Sequence, residues 1–301
     1  MTRIGFIGVG TMGLPMATNL VKKGFAVTAY DVNTEALKAA ASAGMTAAAS
    51  AAEAVAGAEV VVTMLPSSPH VEQVYAGDGG IINAARRGTL CIDMSTVDPA
   101  ASRRVAAAAA ERGVRFVDAP VSGGTPRAIE GTLAIMVGAA AEDFQAAKPV
   151  LDAMGANVIR VGPVGSDEVA NLCNILIAGV AAVAVSEAFR IAEGFGVDPK
   201  VVTEVIAKSS GNTWVMENMH PVPGLVPRAA STNGYAPGFM TDLMCKDVGL
   251  AVDAARNLRI PLFVAPAAQQ VYRLASSHGL ARKDFTSVYT FLKPSAGTAP
   301  V

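Results

Sequence analysis

The chain has 301 residues, 51% of them hydrophobic and 16% charged, a composition with enough apolar surface to exclude intrinsic disorder and a length that favours two domains. Its 24 basic and 25 acidic side chains leave a formal charge of −1 with no basic block, which excludes nucleic acid and anionic membranes as electrostatic partners. Three separated cysteines, Cys91, Cys173 and Cys245, form no CxxC pair, so a disulfide scaffold and a zinc ribbon are excluded and reduced cytoplasmic thiols fit. No apolar stretch reads as an unbroken run of ~20 strongly hydrophobic residues. The N-terminus runs from an apolar segment straight into a glycine turn, so neither a membrane span nor an export signal is expected.

The first half alternates short β-branched runs, at 3–7, 26–30, 60–64, 90–93, 114–118, 133–137 and 158–161, with Ala-rich helical stretches. That rhythm predicts a mostly parallel sheet with helices on both faces. Asp98-Pro99 opening residues 100–112 and Gly113 closing them give the Pro-in, Gly-out signature of a helix. After Gly162-Pro163 the strand signals fade into long Ala/Val/Leu segments at helical spacing. The fold class is therefore α/β: an N-terminal parallel-sheet domain over 1–162, then an all-α domain over 163–293, then a frayed tail over 294–301. A proline-free run from about 166 to 194 predicts one long helix linking the domains and passing beside the cleft.

Gly8-Val9-Gly10-Thr11-Met12-Gly13 matches GxGxxG, and its context gives the match its weight. It follows an apolar strand, opens an apolar helix, and is followed by a second strand ending at Asp31, 18 residues beyond Gly13. Bare glycines let backbone N–H groups approach a pyrophosphate that the helix N-terminus also favours. A carboxylate at Asp31 accepts from both ribose hydroxyls and repels a 2′-phosphate, which predicts NAD as the cofactor. The alternative is that the glycines merely close a turn and Asp31 caps the next helix. Leu65, Pro66 and Thr96 follow later strands, where ligands of open α/β sheets collect; Thr96 reads equally well as a helix N-cap.

These motifs resemble those of the β-hydroxyacid dehydrogenase family. The resemblance spans nearly the whole chain and includes Asp118-Ala119-Pro120-Val121-Ser122-Gly123-Gly124, Ser209-Ser210-Gly211-Asn212-Thr213-Trp214, His220-Pro221-Val222-Pro223-Gly224, Gly238-Phe239, Leu243-Met244-Cys245-Lys246-Asp247 and Lys283-Asp284-Phe285-Thr286-Ser287. It implies that Ser122, Gly123 and Gly124 hold a substrate carboxylate, with Asn174, Trp214 and Phe239 also at the substrate and Lys246 near both nicotinamide and substrate. A Rossmann dinucleotide-binding domain over 1–162, a small β-hydroxy acid as substrate, and a homodimer or homotetramer formed through the helical domain follow from the same resemblance. The residues themselves support the first assignment, because a Ser-Gly-Gly turn offers a hydroxyl and bare N–H groups to an anion. Lys246 alone reads as a solvated lysine on a helix near 240–256, and Trp214 as domain core or pocket wall.

One segment departs from the family pattern. Where a glycine, a catalytic lysine and a second asparagine are expected, the chain has Asp167, Asn171 and Ile175. They fall at i, i+4 and i+8, one stripe of a helix, and the altered stripe is the one expected to face the active site. An amide cannot exchange a proton near neutral pH, so alcohol oxidation is expected to be weak unless another group substitutes. Asp167 is the candidate for that role, against the simpler reading of a surface carboxylate complementing the helix dipole. Imine reduction in a reworked pocket and a non-catalytic NAD-binding sensor are the competing functions. His70, His220 and His278 are isolated, so no metal site is expected.

Overall fold

The computed structural model describes residues 1–293; the tail expected over 294–301 lies outside them. Chain contacts divide it into two compact units, Met1–Asn171 and Leu172–Val301.

In the first unit, β1 (Arg3–Ile7), β2 (Ala26–Tyr30), β3 (Thr46–Ala47), β4 (Val60–Thr63), β5 (Leu90–Asp93), β6 (Arg115–Asp118), β7 (Val121–Ser122), β8 (Leu133–Gly138) and β9 (Gly155–Gly162) form one sheet. The strand order is β3-β2-β1-β4-β5-β6-β8-β7, with β9 also paired to β8. Pairing is parallel from β3 through β6, and β8 runs antiparallel to β6 and β7. The β4 run Val-Val-Val-Thr and the β5 run Leu-Cys-Ile-Asp are buried at every position, as expected where helices cover both faces of a parallel sheet. β3 and β7, two residues each, are too short to leave a periodic signal.

Helices α1 (Gly13–Lys22), α2 (Thr34–Ser42), α3 (Ala51–Val55), α4 (Ser68–Ala76), α5 (Ile81–Ala84), α6 (Pro99–Glu111), α7 (Gly124–Glu130) and α8 (Ala141–Leu151) fill the crossovers. One core packs Met16 and Leu20 of α1 and Leu151 of α8 on the sheet residues Phe6, Val62 and Ile92. The other packs Val71 and Tyr75 of α4 and Val105 of α6 on Ile7, Val61 and Cys91. Alternate residues of the same strands therefore feed opposite faces, and the order reverses between β1 and β4, the switch point at which open sheets bind ligands.

The second unit is helical: the rest of α9 (Ser166–Gly194), then α10 (Pro199–Ala207), α11 (Trp214–Asn218), α12 (Thr241–Asn257), α13 (Val264–Ala275) and α14 (Val288–Phe291). Contrary to the sequence reading, α9 is long and apolar enough to cross a bilayer by length and composition, with a mean hydropathy of 2.0 in its most apolar window. Its Ala182, Val183, Val185 and Phe189 instead enter the two cores of the helical unit, and its first turn carries buried acids.

His220 is fully buried, edge-on to Phe189. The Val222 N–H donates to its Nδ1 at 3.1 Å, which leaves Nε2 to donate to Thr203 Oγ1 at 3.2 Å. Burial pushes its pKa down to about 4, so the fold favours the neutral ring. The folded state binds fewer protons than the unfolded state below the ordinary histidine value of ~6.5, and stability from this group is lost as pH falls from there to about 4. Melting curves should show this acid-side loss, of order 2 kcal/mol, and His220→Gln should remove most of its pH dependence; an unchanged slope would assign the loss elsewhere.

Candidate active site and cofactor loop

Gly8 follows β1 with φ +92°, where a Cβ would lie 2.2 Å from the Met64 carbonyl oxygen; at Gly13 it would lie 1.9 Å from that of Gly8. Both glycines are required by the protein's own backbone. Gly10 differs, because nothing lies within 4 Å of where its Cβ would be. That open, exposed position is where close approach of a pyrophosphate requires a bare Cα. α1 begins without a side-chain cap at Met12; Leu14 N donates to the Gly10 carbonyl oxygen at 2.9 Å and Met16 N to that of Met12, and Pro15 has no N–H, so an anion here meets the Gly13 N–H and the positive end of the helix dipole. Thr11 is exposed, and half-buried Met12 accepts from Thr125 Oγ1 at 3.7 Å.

Asp31 is fixed by two backbone donors: Oδ2 accepts from Val9 N at 2.8 Å and Oδ1 from Asn33 N at 2.8 Å. The first bond ties the glycine loop to the end of β2. Capping of α2 belongs to Asn33, whose side chain accepts from Glu35 N and Ala36 N, so Asp31 is not the cap. Val32 is 89% exposed and Asn33 is uncharged, so no basic side chain immediately follows to hold a 2′-phosphate. At the end of β4 the Leu65 N–H donates to Ser95 Oγ at 2.8 Å, and Pro66 is exposed. Gly10, the uncapped α1 terminus and the fixed Asp31 carboxylate fit a dinucleotide.

The next strands end in acids. Thr63, Asp93 and Asp118 are register partners across β4, β5 and β6, and Gly138 of β8 is opposite Asp118. Asp93 Oδ1 accepts from Thr63 Oγ1 at 2.7 Å and Ser95 Oγ at 2.6 Å; Asp118 Oδ2 accepts from Gly165 N at 2.7 Å. α9 then lays its first turns against this row. Glu168 Oε1 accepts from Val97 N at 3.2 Å, and Asn171 Nδ2 donates to Thr96 Oγ1 at 3.2 Å. Asp118, Asp167, Glu168 and Asn171 are all 0% exposed.

This overturns the reading of Asp167 as a surface carboxylate. Gly138 has no side chain, and Asp167 occupies the room: a Cβ on Gly138 would meet Asp167 Oδ1 at 2.1 Å and Asp118 Oδ1 at 2.3 Å. The N-cap of α6 is Asp98, accepting from Ala100 N at 2.7 Å; Thr96 instead receives Asn171. Burial pushes Asp93 up to about 6 against the opposing hydroxyl donors. Burial also raises Asp118 and Asp167, and the Asp167 carboxyl raises Asp118 further. Glu168 is pushed well up by burial and then by Asp167 and Asp93. The sequence reading missed Asp93 and Glu168, although an acid as the last residue of two neighbouring strands was a legible signal.

Ser122 ends β7, and Gly123 and Gly124 follow with φ of +130° and +66°, a half-buried turn. In the helical unit, Asn174 is exposed and Ile175 packs at the edge of its core. Trp214 is 47% exposed, which corrects its reading as domain core. Phe239 stacks edge-on to Phe285 at 6.1 Å, and Lys246 on α12 pairs with buried Asp247 at 3.0 Å. Among the described residues no cluster of three or more metal-ligating side chains occurs.

A reversing parallel sheet with a dinucleotide loop and an acidic second-strand end, followed by a helical unit, defines a nicotinamide-dependent oxidoreductase. A family model described as the NAD binding domain of 6-phosphogluconate dehydrogenase matches residues 3–162. A second, described as NAD-binding of NADP-dependent 3-hydroxyisobutyrate dehydrogenase, matches residues 165–292. Mouse mitochondrial 3-hydroxyisobutyrate dehydrogenase is 40% identical over 97% of this chain and 87% of its own length. The NAD-dependent L-serine dehydrogenase of Pseudomonas aeruginosa is 41% identical over 99% of this chain and 100% of its own. The structure of Mycobacterium tuberculosis 3-hydroxyisobutyrate dehydrogenase with L-serine superposes with a TM-score of 0.91 at 39% identity, covering 98% of this chain and 100% of that one. The chain belongs to the β-hydroxyacid dehydrogenase family, and its cofactor is NAD.

Proposed function

We propose that this protein interconverts a small β-hydroxy acid of the 3-hydroxyisobutyrate or L-serine type and its carbonyl product, at a rate limited by Asn171. The observation that carries the reading is the intact cofactor loop, with Asp31 fixed by Val9 N and Asn33 N, in a chain whose relatives at about 40% identity act on those acids by name. When bound, NAD supplies the hydride acceptor. Gly10 and the α1 terminus hold the pyrophosphate, and Asp31 holds the adenosine ribose. Ser122, Gly123 and Gly124 present a hydroxyl and backbone N–H groups to the substrate carboxylate without a competing charge.

Asn171 orients rather than exchanges a proton. Its amide donates to Thr96 and has no titratable form near neutral pH, so general acid–base assistance, worth roughly 10²–10⁴-fold, is reduced at this position. Mixing the protein with NAD and either 3-hydroxyisobutyrate or L-serine should produce slow growth of NADH absorbance. Faster turnover of a cyclic imine with NADH would favour imine reduction instead, and NADH binding with no turnover of any of the three would make the protein a sensor.

Cofactor choice has its own test. Asp31→Ala removes both the ribose acceptor and the charge that opposes a 2′-phosphate, so it should narrow the NAD over NADP preference by at least ~10-fold in calorimetric titration. Equal binding of both cofactors by the unmodified protein would remove this assignment.

A further inference from the structure

The carboxyl groups at the ends of β5 and β6 and on the first turn of α9 pose a problem of charge. Asp118 and Asp167 turn one oxygen each toward the same point above the Gly138 Cα. Neither of those oxygens, nor the second oxygen of Asp167, completes a well-formed hydrogen bond, although the Gly165, Asp167 and Glu168 N–H groups approach Asp167 and oppose the effect of its burial. Glu168 Oε2 and the amide Oδ1 of Asn171, on the same face of α9, are likewise buried without a donor, as is Asp93 Oδ2. No ion pair among the described residues involves any of the four acids.

Every element packed against the cluster contributes to this balance. β4 supplies the neutral Thr63 hydroxyl, α4 the Tyr75 hydroxyl bonded to it, β5 Asp93, β6 Asp118, and α9 Asp167 and Glu168. α6 brings exposed Arg103, whose guanidinium lies against Gly165. Arg160 at the end of β9 is exposed and bonds to the Ala139 carbonyl oxygen. Neither arginine is in ion-pair contact with the acids.

Two facing carboxylate oxygens repel, whereas one proton between them turns one into a donor and the other into an acceptor. Burial without a cation forces the same outcome, because isolated buried charge is far costlier than a protonated acid. We propose that Asp118 and Asp167 share one proton, and that this acid pair pins the first turn of α9 to the Thr96–Val97 loop beside the cofactor crevice, making cofactor affinity fall as the pair deprotonates. The link to the loop is direct: Glu168 receives Val97 N and Asn171 reaches Thr96, respectively one and four residues beyond Asp167 on α9. The cofactor part rests on the reading of the crevice as the NAD site; the shared proton does not.

Both carboxyls are raised in the folded state, first by burial. A raised acid binds more protons folded than unfolded, so its contribution is fullest at low pH and is lost as pH climbs through the folded values. Over the window from about 6 to about 9, the melting temperature of the cofactor-free protein should fall by about 4 °C. NADH affinity, read by fluorescence, should fall by about fivefold. Asp167→Asn replaces the shared proton by a permanent N–H donor to Asp118 and should flatten both slopes. Infrared spectra of the unmodified protein at neutral pH should show a buried carboxylic-acid band that weakens at the alkaline end.

Absence of that band, or an Asp167→Asn protein that keeps the original slopes, overturns the shared proton. A slope in melting with none in NADH affinity overturns the coupling to the loop. If Asp167→Asn does not fold, Asp118→Asn takes its place, and the infrared difference spectrum between it and the unmodified protein must contain the carboxylic-acid band, because the buried Glu168 and Asp93 are common to both. Failure to bind NADH at any pH would sink the functional reading, while melting and infrared data would still judge the acid pair.

Discussion

Asn171→Lys should raise the oxidation of 3-hydroxyisobutyrate or L-serine by at least tenfold in kcat/KM. That floor lies below the roughly 10²–10⁴-fold attributed to general acid–base assistance, and the surroundings of position 171 explain why the full gain is not expected. Asn171 is fully buried, one turn after Asp167 and three residues after Glu168. A new ammonium would lie close to acids that have no cation of their own. Pairing with them stabilises its protonated form, when oxidation requires a neutral amine to accept the hydroxyl proton. The activity should therefore appear with rising pH. Asp167→Gly in the same protein removes one such partner and reopens the space above Gly138, so the double variant should exceed the product of the single effects, the excess measuring their coupling. The lysine also supplies the missing cation, so the single variant should lose less stability in alkaline solution than the unmodified protein. Unchanged kinetics in both variants would show that position 171 does not handle the proton.

The contrast between Asp31 and Asp167 shows what a sequence can disclose. Asp31 was legible because its meaning is carried by spacing along the chain: a strand, a glycine turn, a helix, a second strand, then an acid. Asp167 was misread because its surroundings come from elsewhere. Helix-dipole reasoning sees only that an acid begins a helix; the gap that buries it is made by Gly138, and the acid it meets is Asp118, both distant in sequence. Strands such as β4 and β5 were evident because burial on both faces demands continuous apolar runs. The extent of α9 was legible for a different reason: a proline-free run over about 166–194 predicts one helix, and Ser166–Gly194 form it, although its apolar window, with a mean hydropathy of 2.0, was underestimated. Thr96 was ambiguous locally and was settled by Asn171, a partner 75 residues away.

Gly10→Ala and Gly13→Ala should both weaken NADH binding, but only the second should damage the cofactor-free protein. At Gly13 the new methyl would be 1.9 Å from the Gly8 carbonyl oxygen, backbone against backbone in a turn that is buried, so the β1–α1 junction must shift. Overpacking of this kind costs about 1–3 kcal/mol, which predicts a melting temperature lower by roughly 3–8 °C together with a loss of NADH affinity of ~30-fold or more. At Gly10 the methyl meets nothing within 4 Å, so the cofactor-free protein should melt within about 1 °C of the original. The methyl then occupies the space into which the pyrophosphate must come, and affinity should fall by ~10-fold or more. The comparison separates what the fold needs from what the ligand needs, since the two glycines belong to one motif and one loop. Tight NADH binding by Gly10→Ala would show that the open space above this residue is not the pyrophosphate site, whatever happens at Gly13. An equal loss of thermal stability in both variants would mean that the loop's glycines serve only its own turn.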